Sequence, residues 1–359
     1  MNIDSFLKKE GIENIQKINS KEVNIIAKDI AIKLCLAFPE NKFSRKSLAE
    51  SISSLNMYSA DLKADTSKAK YYYKNNSIYF SNDLEFDKYP EVAMHECIHF
   101  FQSINGKNRL GLCDSAISTA INEAAVQLMA SEANMQNIVS EKYFDISLDT
   151  NTPDYYPLEC ALLRQMSYFT GTTPLYVSTF YSNDTFKNDF SSRYGKKTYN
   201  TIVKNLNKLL LLENELAAYS TELAHSTKEN AIKQLNYIID FQKNAITTLF
   251  FNTQNYIIKQ CFGKEFCNIS SSPDLHTYKN LLYNYKSLIG YTKNYTFYND
   301  FYRDMMKALE IKKEKIYSQA NTSTALTIVD KNSLSFVKTL FSKVKKLFGI
   351  KSTVEDYNL

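Results

Sequence analysis

Tryptophan is absent from this chain, and glycine (8), proline (6) and histidine (4) are scarce among its 359 residues. So few turn formers exclude a sandwich of many short strands and favour long helices. No stretch reaches the roughly 18 uninterrupted apolar residues of a spanning helix. The N-terminal MNIDSFLKKEGIENIQ has no apolar core of the kind a secretory signal carries. The six cysteines (Cys35, Cys97, Cys113, Cys160, Cys261 and Cys267) are scattered and form no CxxC pair, which is the usage of reduced thiols in a cytoplasmic protein. Only Cys261 and Cys267 are close enough in sequence to bridge a short loop. Charge of one sign is also lacking. The 43 basic and 38 acidic residues leave a net +5, without the concentrated basic face that nucleic-acid binding needs. We therefore expect a cytoplasmic protein with no nucleic-acid partner.

What is present is ordinary for a globular chain, with 44% apolar and 23% charged residues. The length allows one large core or two to three domains. Val23, Ile26, Ile30 and Leu34 recur at three-to-four spacing and predict a helix over 21–37, closed by Pro39. Ser44 caps a second helix reaching about residue 55. KYYYKNN and SIYF then read as two short strands around an Asn-Asn turn. Pro90 stands at the start of a helix carrying EVAMHECIHFFQ. A glycine-containing loop leads to an alanine-rich helix over about 114–135. Residues 136–195 are less regular, with a helix near 158–168, whereas helical spacing is almost continuous over 197–318. The expected fold is α+β and predominantly α. It comprises a unit with a small sheet and two active-site helices (1–195), a helical bundle or hairpin (196–318), and a polar linker with an amphipathic basic helix (319–359).

Two of the four histidines lie in His95-Glu96-Cys97-Ile98-His99. On a helix, positions i and i+4 share a face about 5–6 Å apart, so both imidazoles can reach one tetrahedral metal ion. Glu96 then leans over the metal's open position, where it accepts a proton from a zinc-bound water. Val92, Ala93, Cys97, Ile98, Phe100 and Phe101 suit this helix to burial, where unpartnered histidines and a glutamate would be costly. A metal removes that cost. Zinc needs a third protein ligand, and the metzincin pattern fails at Gln102 and Asn105. Glu123, in Ile121-Asn122-Glu123-Ala124-Ala125 on the next helix, is the next candidate. Glu132, Asp114, His225 and His276 stand behind it, Glu132 being two and a half turns further on. Cys97 points away from the histidine face.

HECIH followed on the next helix by Asn122-Glu123-Ala124 resembles the thermolysin-like gluzincins, zinc metallopeptidases with an HExxH…NE signature. The resemblance runs from the SIYF strand to about Met135. It implies one Zn2+ per chain held by His95, His99 and Glu123, and zinc-dependent hydrolysis of a peptide or protein substrate with Glu96 as catalytic base. It also implies an edge strand beside the cleft, for which AKYYYKNNSIYF has the layout. One position departs from the family pattern. Gln127 stands where an aspartate often orients a metal-bound histidine, and a glutamine carbonyl accepts the same N–H while lending the ligand less basicity. INEAAVQLMASEA and YYPLECALLRQM also resemble uncharacterised metallopeptidases of low-GC bacteria.

An oxyanion donor completes such a site, and His225, Tyr155, Tyr156, Tyr168 and Tyr176 are candidates. Tyr156 is favoured, because its Pro-flanked segment is placed to fold back over the cleft. The alternative readings are a zincin fold without catalysis, a helical membrane-surface or interaction protein with a structural HExxH, and hydrolysis of a non-peptide bond. In KNSLSFVKTLFSKVKKLFGIK, Leu334, Val337, Leu340, Phe341, Val344, Leu347 and Phe348 form one face, with Lys338, Lys343, Lys345 and Lys346 opposite. That profile over 332–349 suits a terminal helix docked on the bundle, and it also suits peripheral contact with an anionic membrane.

Overall fold

The three-to-four spacing of Val23, Ile26, Ile30 and Leu34 becomes the buried face of helix α2 (Ser20–Ala37), which follows a short α1 (Ile3–Lys9). Asn19 caps α2 by accepting the Glu22 N–H, and Ser44 caps α3 (Arg45–Ser53) through the Ser47 N–H. The computed structural model describes residues 3–9, 11–62, 68–106, 109–292 and 297–322. The amphipathic segment expected over 332–349 lies outside the described residues.

A four-stranded sheet holds β1 (Ile12–Lys17), β2 (Asn56–Leu62), β3 (Ala69–Tyr72) and β4 (Ser77–Ser81) in the order β1-β2-β4-β3. The tyrosine-rich hairpin is β3–β4, with Tyr71 opposite Ile78 and Asn76 left-handed in its turn. β2 runs parallel to β4 and antiparallel to β1. The sequence reading holds only the hairpin. β1 buries little beyond Ile12, so it lacks the alternation that marks a strand, and pairing with β2 is what makes it one. β3 is the edge strand on the side of α4 (Tyr89–Asn105).

α4 and α5 (Thr119–Ala133) pack against each other, and α5 is buried on nearly every face. A helix apolar all round belongs in the centre of a core, and α5 also touches α2, α6, α7 and α9. Residues 136–195 are more regular than their sequence suggests. They form the hairpin β5–β6 (Val139–Tyr143 and Ile146–Thr150), then α6 (Pro157–Thr170), α7 (Thr173–Tyr181) and α8 (Thr185–Tyr194). Elements this short carry too few periods to be told from loops, and their order comes from packing. The remaining helices are α9 (Lys196–His225), α10 (Glu229–Asn268), α11 (Ser272–Tyr285) and α12 (Phe297–Thr322). α9 and α10 form a long antiparallel hairpin, and α12 continues four residues into the segment expected to be a polar linker.

The architecture is thus α+β and mostly helical. One buried cluster runs from Ile18 to Leu309, so α9–α12 share a core with α2–α8. A smaller one, built from Leu7, Ile12, Ala60, Tyr72 and Tyr79, fills the space between α1 and the sheet. Buried Gln165 of α6 joins the late helices to the early ones. It donates to Gln254 Oε1 of α10 and to the Gly290 carbonyl, both at 3.0 Å, and accepts the Tyr285 hydroxyl of α11 at 2.7 Å. Among the described residues no helix is long and apolar enough to cross a membrane.

Phe262 lies fully buried among Phe169, Tyr278, Tyr285 and Phe301. Phe262→Ala is expected to cost about 3–5 kcal/mol, the usual range for an emptied phenylalanine site. Urea denaturation of the two proteins measures it.

Candidate metal centre

α4 is rolled into place by its apolar side. Met94, Cys97, Ile98 and Phe101 are buried in the core, which turns His95 and His99 towards α5. There Glu123 meets them. His95 Nε2 and His99 Nε2 are 3.1 Å apart, and Glu123 Oε2 lies 3.4 Å from the first and 3.3 Å from the second. Ligand bonds of about 2.0–2.1 Å at tetrahedral angles separate donor atoms by about 3.3 Å. The three donors therefore have the spacing of one face of such a tetrahedron. The side chains keep 18%, 16% and 20% of their surface, so the group is enclosed on the helix side and reachable from the other. Among the described residues it is the one group of three or more ligating side chains whose donor atoms converge in this way.

The opposite edges of the imidazoles are held by amides. His95 Nδ1 donates to Gln127 Oε1 at 2.9 Å, and His99 Nδ1 to Gln102 Oε1 at 3.0 Å. The orientation of Gln102 follows from a backbone donor. The Leu112 N–H, which can only donate, points at Asn122 Oδ1 at 3.0 Å, and the same oxygen accepts Gln102 Nε2 at 3.0 Å. Gln102 must then present its oxygen to His99, so Nδ1 keeps an N–H in either charge state, and it is the Nε2 proton, held against Glu123, that a metal would displace. Gln127 is oriented likewise, its Nε2 donating to Ser131 at 3.2 Å. The amide pair leaves no room beside it. A Cβ at Gly111, which is left-handed at φ +53, would lie 2.1 Å from Gln102 Nε2 and 2.3 Å from Asn122 Oδ1.

Burial alone would lower the pKa of His99, but the Glu123 carboxylate, its hydrogen bond and the nearby Glu96 outweigh it and raise the value to about 9. Burial would likewise raise Glu123, but the charges and hydrogen bonds of His99 and His95 hold it well below the usual carboxylate range. The metal-free group is therefore an ion pair at neutral pH. Cys97, fully buried on the other side of α4, is pushed far up by desolvation and stays a thiol, which is no metal ligand.

Glu96 lies on the accessible side, with one carboxylate oxygen accepting the Tyr71 N–H of edge strand β3 at 2.7 Å. With His95 it lines a cavity of about 150 Å3, which Pro153, Asp154, Tyr155 and Tyr156 also line. The Tyr156 ring is 6.4 Å from that of His95 and 23° from parallel to it. Its backbone is left-handed, φ 51 and ψ 40, immediately before α6. That conformation costs a bulky residue of order 1–3 kcal/mol and persists only where the surroundings impose it.

The other candidates lie elsewhere. Glu132 pairs with Arg164 at 3.2 Å, and Asp114 with Lys187 at 2.6 Å. His225 is exposed at the end of α9, bonded to the Thr221 carbonyl, and His276 is exposed on α11. Tyr168 donates to the Leu281 carbonyl, and Tyr176 is buried against Phe38. Cys261 and Cys267 are both free thiols within α10. Sequence reasoning missed the part of Gln102, although its position three residues after His99 already puts both on one helix face. It could not have found the Tyr71 N–H, which needs the strand and the helix side by side. No protein-family model matches the chain, and no curated protein or solved structure matches it either.

Gly111→Ala is expected to keep the fold but displace Gln102 and Asn122, weakening divalent-metal affinity about 10- to 100-fold. Competition with a chromophoric chelator measures this. With His99 raised to about 9, binding of a divalent ion at about pH 7.5 should release about one proton. Calorimetry in buffers of different ionisation enthalpy counts it. In the metal-free protein the His99 contribution to stability is complete below the ordinary imidazole value of about 6.5 and lost as pH rises through about 9.

Proposed function

We propose that this protein is a zinc-dependent peptide hydrolase of the gluzincin kind, with His95, His99 and Glu123 as metal ligands, Glu96 as base and Tyr156 as oxyanion donor. The observation that carries the reading is the convergence of two amide-oriented Nε2 atoms and one carboxylate oxygen at tetrahedral spacing. Two imidazoles, one carboxylate and an accessible fourth side form the donor set of a catalytic zinc rather than of calcium or magnesium. When bound, the ion supplies Lewis-acid charge that polarises a carbonyl and favours ionisation of water.

The chain's own groups do the rest. The Tyr71 N–H fixes one oxygen of Glu96, and the other is left to take the proton of the attacking water and return it to the departing amine. The Tyr156 phenol, lining the same cavity as Glu96, donates to the oxygen on which charge develops. A peptide is favoured as substrate because edge strand β3 borders the base, so an extended backbone can lie along it. Six unpaired cysteines agree with a reducing compartment such as the cytoplasm.

Metal content by plasma mass spectrometry should show one zinc per chain in the native protein and none in His95→Ala or Glu123→Ala. Glu96→Gln should keep the zinc and lower peptide turnover by at least about 100-fold. A zinc-loaded protein whose Glu96→Gln variant cleaves peptides at the native rate sinks the proposal.

A further inference from the structure

Glu159 stands in the first turn of α6, three residues after Tyr156, and is completely buried. A glutamate there ordinarily reaches back to cap the helix start. This one turns inward instead. No N–H or hydroxyl group of another residue is bonded to either of its carboxylate oxygens, and what it meets, across the contact between α6 and α9, is the carboxyl of Glu213. An ionised carboxylate has no hydrogen to donate, so two of them meet favourably only with a proton between them.

We propose that Glu159 and Glu213 hold one proton between them, that this shared proton fastens α9 to the first turn of α6, and that the attachment loosens as pH rises. The inference does not depend on the metal centre. Among the described residues no cation is set against the pair. On α6 the Cys160 thiol feels both carboxylates, and Arg164 further along is bound to Glu132 of α5 and to Asn151. The buried faces of α8 and α10 carry no charged residue, and their titratable groups Tyr194 and Cys261 answer to Glu265. Glu123 of α5 is committed to the histidines. Nor is the pair a metal site, because no third ligating side chain converges on it among the described residues.

Burial acts in the same direction on both groups, while the hydrogen bond between them raises Glu159 and lowers Glu213, so the proton rests on Glu159. Burial, then the charge of Glu213, raises Glu159 well above the usual carboxylate range, and burial raises Glu213 to about 7. A carboxyl raised on folding keeps its proton to higher pH than in the unfolded chain. Stability therefore falls as pH climbs from about 4.5 through about 7 and beyond. The consequence reaches the cavity wall. The first turn of α6 carries Tyr156 at its start, and Cys160 Sγ donates to the Ala124 carbonyl, next to Glu123.

Thermal unfolding of the full chain and of Glu213→Gln, from about pH 5 to about pH 8.5, tests the proposal. The two midpoints should nearly coincide at the acid end. The native one should then fall below the variant's by a few degrees at the alkaline end, because the glutamine amide gives Glu159 a donor. Hydrogen exchange in residues 157–163 of the native protein should speed up over the same range, beyond the intrinsic pH effect. Parallel midpoint curves overturn the proposal. So does stabilisation of the native protein, but not of Glu213→Gln, by calcium, magnesium or manganese at the alkaline end, which would mean a cation in place of the proton. Should the variant fail to fold, the infrared carbonyl band of a protonated carboxylic acid decides. It should persist in the native protein at neutral pH and vanish on alkalinisation, and its absence at neutral pH overturns the proposal.

Discussion

Each imidazole of α4 turns one nitrogen towards Glu123 and must find an acceptor for the N–H on its other edge, where little water reaches. An unpaired buried N–H costs about 1–3 kcal/mol, and a proton on the wrong nitrogen would close the site to a metal. Neutral amides meet both demands. The Gln102–Asn122 pair, aligned by the Leu112 N–H, holds His99, and Gln127, anchored on Ser131, holds His95. Carboxylates in these places would add negative charge beside Glu123 in a poorly solvated region. Amides fix the same orientation with none. The trade is lower histidine basicity against less repulsion around Glu123.

That arrangement depends on α4 and α5 keeping their register, and much of the remaining chain serves to hold it. α5 is packed from several sides at once, so Glu123 and Gln127 cannot roll away from the histidines. Ser182, at the end of α7, accepts the Gly111 N–H at 2.8 Å and donates to the Gln102 carbonyl at 3.0 Å, which fastens the connecting loop over the amide pair. The Asn134 side chain, just beyond α5, closes the other end on the Glu91 carbonyl at 3.0 Å. α6 brings the aromatic wall of the cavity into place, and Gln165 ties that helix to α10 and α11. The long C-terminal helices thus act on the site through α6 and α5, although they line none of the cavity beside His95.

Backbone conformation is strained where tertiary structure overrides local preference. Tyr156 is left-handed where its ring must face His95. Gly111 is left-handed where two amides leave no space for a Cβ, and Gly290 (φ +84) where one would lie 2.7 Å from Ala161 Cα. Gly106 is a third close approach, with a Cβ there 2.0 Å from the Arg109 carbonyl oxygen, in a chain with only eight glycines. Their placement says more about the fold than their number does.

His95, Glu96, His99 and Glu123 were legible in the sequence because helical spacing by itself brings i and i+4 to one face, and because Asn122-Glu123 follows on a second helix. The long helices and the tyrosine hairpin were legible for the same reason: each repeats its period often enough to be read locally. Strand β1, the helices between 170 and 195 and the partners of the histidine N–H groups were not. Each depends on residues far apart in sequence, Ile12 with Leu62, His95 with Gln127, Tyr71 with Glu96. Glu159 shows the same divide. The sequence places a glutamate in a helix's first turn, where it would normally cap, and only the packing of α9 sets a second carboxyl against it. Sequence alone determined which residue types share a helix face, because that geometry is local. Tertiary structure decided which polar atoms meet across faces, because hydrogen bonds and charges act over a few ångströms that only the folded chain closes.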